Sequence, residues 1–297
     1  MNKAMGILCG GILAAALGLA TGAAAQTIVV GGKAFTEQQI MTAMTVELLK
    51  AKGFSPKREA GMGSAAVRSA LENGQIDVYW EYTGTGLGVF NKIMDKFPSA
   101  EETYKRIKEV DGAKGLVWLN MSQVNNTYAF AMNRDQAQKM NIVTMSDLAK
   151  AVNGGAKLTF ASNAEFYARP DGLPGWQTAY GFEFPRDNVK RMDTGLVYSA
   201  LKDRQVDTGV VFATDGRIPA FNFVVLKDDK HYAPWYNLTP VVRKEILDKY
   251  PKIADALNAL SARLNDETMA RLNASVDVDK KTVEDVAHDF LKSNGLV

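Results

Sequence analysis

The run GQIDVYWEYTGTG (74–86) sets three aromatic rings, Tyr79, Trp80 and Tyr82, and two acids, Asp77 and Glu81, in a strand-like stretch that breaks at once into Thr and Gly. So many rings with polar handles are unusual filling for a strand core, but their faces suit a cation that has no hydrogen to donate. A quaternary ammonium spreads its charge over methyl groups. Each ring face meets it with dispersion and quadrupole attraction, worth about 0.5–2 kcal/mol when desolvated.

A second part of the chain repeats the arrangement. VRSALENGQID (67–77) aligns with VYSALKDRQVD (197–207), sharing Val, Ser-Ala-Leu, Gln and Asp at equal spacing. Beyond the shared Asp, Tyr82 closes one copy and Phe212 the other, each at the end of a predicted strand and before a Thr/Gly-rich turn, TGTG and ATDG. Ligands of open α/β sheets gather outside the carboxyl ends of strands. Two such units facing each other would make a cleft with a ring on either wall.

A carboxylate on the same ligand would need a basic partner. Lys33 follows the first predicted strand and precedes Thr36, beside the positive end of a helix where anions are favoured. TGTG (83–86) adds hydroxyls and closely approachable backbone amides, and Arg169, in EFYARPDG, can pair with the same group. By residue type, Tyr79 and Trp80 belong to the core, Trp235 stands between rim and wall, and Glu81 serves a structural hydrogen bond. Tyr167 and Tyr198 are lesser wall candidates.

The elements that must position these residues alternate. TIVVGG (27–32), IDVYWEY (76–82), LVWL (116–119), TYAFAM (127–132), LTFAS (158–162), DTGVVF (207–212) and FVVL (223–226) read as strands. Thr36 with Gln39 reads as a capping box for a helix carrying Ile40, Met44 and Leu48 and stopped at Gly53, and Ser64 as the cap of the helix AAVRSALEN. From Pro240 onward VVRKEILDKY, IADALNALSARLN, DETMARLN and TVEDVAHDFLKSNG read as consecutive helices. The pattern is α/β. No Pro/Gly/Ser-rich linker separates two beads, so the expectation is two lobes that share connections.

Met1–Gln26 has one early Lys, an apolar run to about Ala20 and the triplet Ala23-Ala24-Ala25, which reads as a cleavable signal peptide over residues 1–25. Cys9, the one cysteine of the chain, falls within it, so the mature protein carries no disulfide or thiol chemistry. A net charge of +2 without a Lys/Arg stripe gives no footprint for nucleic acid. There is no Gly-x-Ser-x-Gly elbow, GTGLG (84–88) lacks dinucleotide spacing, and His231 and His288 read as solvated; no metal site, cofactor site or catalytic constellation emerges.

Together, GGKAFTEQ (31–38), IDVYWEYTGTG (76–86), NNTYAF (125–130), ARPDGLPG (168–175), VFATDGRI (211–218), LKDDKHYAPWYNLTPVVR (226–243) and LNDETMARLN (264–273) make the mature chain resemble the substrate-binding proteins of osmoprotectant ABC importers, which take up glycine betaine, choline and relatives. The resemblance implies a type II periplasmic-binding fold, with lobe I at 26–126 plus 235–297 and lobe II at 127–234, closing on the ligand. It implies an aromatic box of Tyr82, Tyr128, Phe212 and Tyr236, with Lys33, Thr85 and Arg169 facing a betaine carboxylate. Asn126 stands where the family often has Asp, and Phe212 where Tyr is expected. The implied protein is a periplasmic monomer that delivers a quaternary-ammonium solute to an ABC permease with its ATPase, and not an enzyme. Two other readings keep the fold: a binder of another zwitterion, such as a trimethylated amino acid, and a receptor-coupled sensor. A secreted enzyme is the remaining alternative.

Overall fold

The computed structural model describes residues 27–297; the signal-peptide reading, with Lys3 and Cys9, lies outside them. Among the described residues ten strands are formed: β1 (Thr27–Lys33), β2 (Ser55–Met62), β3 (Val78–Tyr82), β4 (Leu116–Trp118), β5 (Tyr128–Asn133), β6 (Phe160–Ser162), β7 (Val189–Arg191), β8 (Thr208–Phe212), β9 (Phe223–Val225) and β10 (Leu238–Arg243). They make two five-stranded sheets, ordered β2-β1-β3-β10-β4 and β7-β6-β8-β5-β9. Each sheet runs parallel through its first three strands and antiparallel through the rest. The antiparallel strand beside β3 or β8 is the one that enters from the other lobe: β10 returns to the first sheet, and β5 opens the second. The result is a two-lobe α/β protein whose lobes exchange chain.

The repeated sequence units fold alike. In the first, the helix Ser64–Glu72 leads into β3; in the second, the helix Thr194–Lys202 leads into β8. The shared acids do the same work: Asp77 accepts a hydrogen bond from the backbone N–H of Val29, and Asp207 from that of Thr159, each at 2.8 Å and each across 48 residues. Both bonds fix a strand to the turn that precedes its neighbour. The cores are what the alternation demands. Ile28, Val30 and Trp80 pack beneath the helix Thr36–Ala51, whose Ile40, Met44 and Leu48 are fully buried. The Trp80 indole donates to Thr45 Oγ1 at 2.8 Å, satisfying its one polar atom.

Three local readings are corrected. Thr36 does not cap its helix: the N-cap is Phe35 without a side-chain bond, and Thr36 Oγ1 instead donates to Asp277 at 2.8 Å. Ser64 is the first helical residue after Gly63 and caps nothing. Val241, Val242 and Arg243 are strand, not helix, because β10 fills the gap between β3 and β4. Pro240 is tolerated there because its carbonyl, and so its absent N–H, faces Leu119 just past the end of β4, where the Pro240 carbonyl accepts from Leu119 N at 2.9 Å. The polar edge strand β2 and the short β7 carried no apolar alternation to announce them.

One buried ion pair anchors the first lobe. Arg68 grips Asp111 through both terminal nitrogens at 2.6 and 2.8 Å, and Asp111 also accepts from Trp118 and Asn91. Burial pushes the Asp111 carboxyl up, but Arg68 and the neutral donors outweigh it and hold the group below the usual carboxylate range. Removing one partner of such a pair strands a buried charge, so Arg68→Ala should cost about 3–5 kcal/mol in urea unfolding. The contribution of Asp111 is complete above about pH 4 and is lost as pH falls through its depressed folded value. The variant should therefore show a shallower loss of stability in acid than the parent; an unchanged acid limb would place that dependence elsewhere.

Candidate functional site

The rings singled out in the sequence sit where strands end. Tyr82 is the last residue of β3 and Phe212 the last of β8. Tyr128 begins β5 directly opposite Phe212, and Tyr236 precedes β10. Ring centroids of Tyr128 lie 5.3 Å from Phe212 and 5.6 Å from Tyr236. A fifth ring, Phe35, lies 5.1 Å from Phe212 and 6.2 Å from Tyr82, closing the circle between the two sheets. All five line one cavity of about 700 Å³, together with Lys33, Thr85, Asn126 and Arg169. The eight residues selected from sequence are thus all on its wall. Tyr79 and Trp80 are in the core, Tyr167 and Tyr198 stand outside the lining, and Trp235 lines a second cavity of about 520 Å³ between the lobes.

The hydroxyls are anchored on protein. Tyr82 Oη donates to Glu37 at 2.7 Å and accepts from Gln38 at 3.2 Å. Tyr236 Oη donates to Asp171 at 2.5 Å, and Tyr128 Oη accepts from Arg169 at 3.2 Å. Burial pushes all three phenols above their ordinary value, so they stay neutral. Phe212 has no hydroxyl to anchor; its backbone N–H donates to Tyr198 Oη at 2.9 Å instead.

The two cations on the wall are not equally free. Lys33 Nζ lies 2.5 Å from Glu81 and 5.1 Å from the Tyr82 ring centroid; Glu81 also accepts from Tyr79 and from the Tyr82 backbone. Lys33 spends one ammonium hydrogen on Glu81 and keeps two to offer, whereas Arg169 commits all five of its N–H groups. They go to both oxygens of Asp171, to Glu165, to Tyr128 Oη and, at 3.3 Å, to Thr85 Oγ1. Burial alone would lift the Asp171 carboxyl, but Arg169 and Tyr236 hold it below the usual range. Asn126 donates from Nδ2 to Glu37 at 3.0 Å, while its Oδ1 is buried without a partner.

The lobes meet across this cavity. Thr214 Oγ1 donates to Glu37 at 2.6 Å, Asn273 Nδ2 to the Thr214 carbonyl at 3.0 Å, and Arg217 lies 3.2 Å from Asp277. One glycine makes the approach possible: a Cβ on Gly216 would stand 2.4 Å from that of Ala274. Within the first lobe, a Cβ on Gly84 would stand 2.9 Å from the Tyr236 ring. Phe35 and Glu37 were missed in the sequence, although both lie in GGKAFTEQ. Their signal is position: a loop at a strand's carboxyl end running into a helix. Among the described residues no group of three His, Cys, Asp or Glu is placed to hold a metal ion, and no helix is long and apolar enough to cross a membrane.

Residues 26–293 match the family described as the substrate-binding domain of ABC-type glycine betaine transport systems. A glycine-betaine-binding protein of Pseudomonas aeruginosa is 44% identical, over 99% of this chain and 95% of that one. An ergothioneine transport permease/ergothioneine-binding protein of Helicobacter pylori is 35% identical, over 91% of this chain and 48% of the longer relative. A crystal structure of a glycine betaine/carnitine/choline ABC transporter component superposes with a TM-score of 0.72 at 29% identity, covering 91% of this chain and 99% of the other. With rings from two sheets gathered on one interlobe cavity and a match over nearly the whole described chain, the protein belongs to the family of substrate-binding domains of ABC-type glycine betaine transport systems.

Proposed function

We propose that the chain captures a small quaternary-ammonium solute between its lobes and hands it to an ABC permease driven by a separate ATPase. The observation that carries this reading is the convergence of Phe35, Tyr82, Tyr128, Phe212 and Tyr236 on one cavity. In this reading residues 1–25 are cleaved on export and the protein works in the periplasm as a monomer, by binding and not by catalysis. Lobe I takes residues 26–126 plus 235–297, and lobe II takes 127–234. Ligand favours the closed pair of lobes because rings of both touch it only there.

The rings hold the ammonium, and the polar wall holds whatever the solute carries at its other end. Lys33 is the donor with hydrogens to offer a carboxylate. Arg169, with its donors committed, fixes Tyr128 and Thr85 and adds positive potential. Asn126 lies beside the ammonium end, tied to Glu37. A second zwitterion is favoured by the Helicobacter relative, whose ergothioneine is a trimethylated amino acid; the same box would accept it.

Calorimetric titration of the refolded mature chain with glycine betaine, choline, carnitine, proline betaine and ergothioneine tests the reading. A saturable one-to-one heat from at least one is expected; silence from all five, with the protein folded, refutes it. Tyr82→Ala and Tyr236→Ala should each weaken binding about tenfold or more, at about 1–2 kcal/mol per desolvated ring. Lys33→Gln should penalise glycine betaine about fivefold or more relative to choline. Equal losses for the two ligands would remove Lys33 from the carboxylate end.

A further inference from the structure

Six acids are buried among the described residues, and five of them face a cation. Asp77 has Arg243, Glu81 has Lys33, Asp111 has Arg68, Asp171 has Arg169 and Asp215 has Arg217. Glu37 alone has none within ion-pair distance. Its carboxylate is nonetheless built for charge. Oε1 accepts from Tyr82 Oη at 2.7 Å and Asn126 Nδ2 at 3.0 Å; Oε2 accepts from Thr214 Oγ1 at 2.6 Å and Asn273 Nδ2 at 3.3 Å. Four donors on two oxygens fill the acceptor capacity of an ionised carboxylate. A buried charge is tolerated when it is both hydrogen-bonded and paired, and here only the first condition is met by protein.

We propose that Glu37 is the counter-ion of the ligand's ammonium group and sets the preference of this site for a cation over a neutral molecule of the same shape. The inference rests on the quaternary-ammonium reading above. Glu37 sits behind the Tyr82 ring, bonded to its hydroxyl, and lines a small recess shared by Phe35, Asn126 and Phe212. A cation held among the rings shares the Tyr82 ring with this carboxylate, which accepts from the Tyr82 hydroxyl at 2.7 Å, and in a partly desolvated site the two attract more strongly than in water. Burial pushes the Glu37 carboxyl above its ordinary value in spite of the four donors, so the ionised form gains from a cation arriving beside it. The neutral amide of Asn126 also acquires a purpose. It leaves one acid at the ammonium end and donates a hydrogen bond to it, where a carboxylate would have set two like charges in contact.

The same four donors make Glu37 a positioning residue. Tyr82, Asn126 and Asn273 lie in segments that build the first lobe, whereas Thr214 follows β8 of the second, so the carboxylate also joins the lobes when they are together.

The test compares choline with 3,3-dimethylbutan-1-ol, its neutral carbon isostere, by calorimetry on the full mature chain. The parent should prefer choline. In Glu37→Gln that preference should fall about tenfold or more, while affinity for the isostere changes by less than about threefold. Equal weakening of both ligands would make Glu37 merely structural, and an unchanged preference would mean that it carries no charge; either result overturns the proposal. Thr214→Val is the second variant. It removes the donor from the other lobe but keeps the carboxylate, so both ligands should weaken together with the preference retained; collapse of the preference there would also overturn the assignment. Failure of the parent to bind any quaternary ammonium would sink the functional reading first, and is told apart because it shows before a variant is made.

Discussion

Tyr128 and Phe212 are directly opposed across β5 and β8, and the aromatic cluster hangs on that register. A slip of one residue in either strand would turn that strand's side chains to the opposite face, taking its ring off the cavity and breaking the pair. The other wall is held in the same manner. Leu238 opposes Tyr82 across β10 and β3, and just before that pair the chain is stapled twice, Thr83 N to the Asn237 carbonyl at 3.1 Å and Asn237 N to Thr83 Oγ1 at 3.0 Å. Tyr236 is thereby delivered beside Tyr82. Because each antiparallel strand arrives from the other lobe, the two walls are set by the same crossings that join the lobes.

Around the rings, polarity is handled by fixed partners. Lys33 on Glu81 and Arg169 on Asp171 are pairs with little solvent access. Ions buried in such pairs contribute little net stability; what they supply is orientation. The guanidinium of Arg169 ties Asp171, Glu165, Tyr128 and Thr85 into one piece, and Asp171 passes the constraint to the Tyr236 hydroxyl. A pocket organised in this way does not have to rearrange its dipoles when a ligand enters, which limits the ordering cost of binding.

Much of this was legible in the sequence. Strand alternation found seven of the ten strands, and the paired VRSALENGQID and VYSALKDRQVD units placed Tyr82 and Phe212 at matching strand ends. The misses share a cause, which is that the deciding partner is distant. Thr36 looks like a cap until Asp277 is beside it. Val241 and Val242 read as part of a helical run until the gap between β3 and β4 claims them. Glu37, in the first turn of its helix, is indistinguishable by position from an acid that merely complements the helix dipole. Phe35 precedes a helix with no apolar rhythm to mark it. Nothing local says that either faces the ring of Tyr82 or a lobe built from residues far along the chain.

The distribution of tryptophan has an optical consequence. Trp80, Trp118 and Trp176 are sealed in the cores, each 1% exposed, while Trp235 is 38% exposed on the segment that returns from the second lobe to the first. Its carbonyl holds Thr83 Oγ1 at 2.9 Å, and its indole borders the second interlobe cavity. The three core indoles are sealed within the hydrophobic clusters of single lobes, so their emission forms a steady background. Trp235, part-exposed at the crossing between the lobes, is the fluorophore placed to sense a change there, with no label to attach.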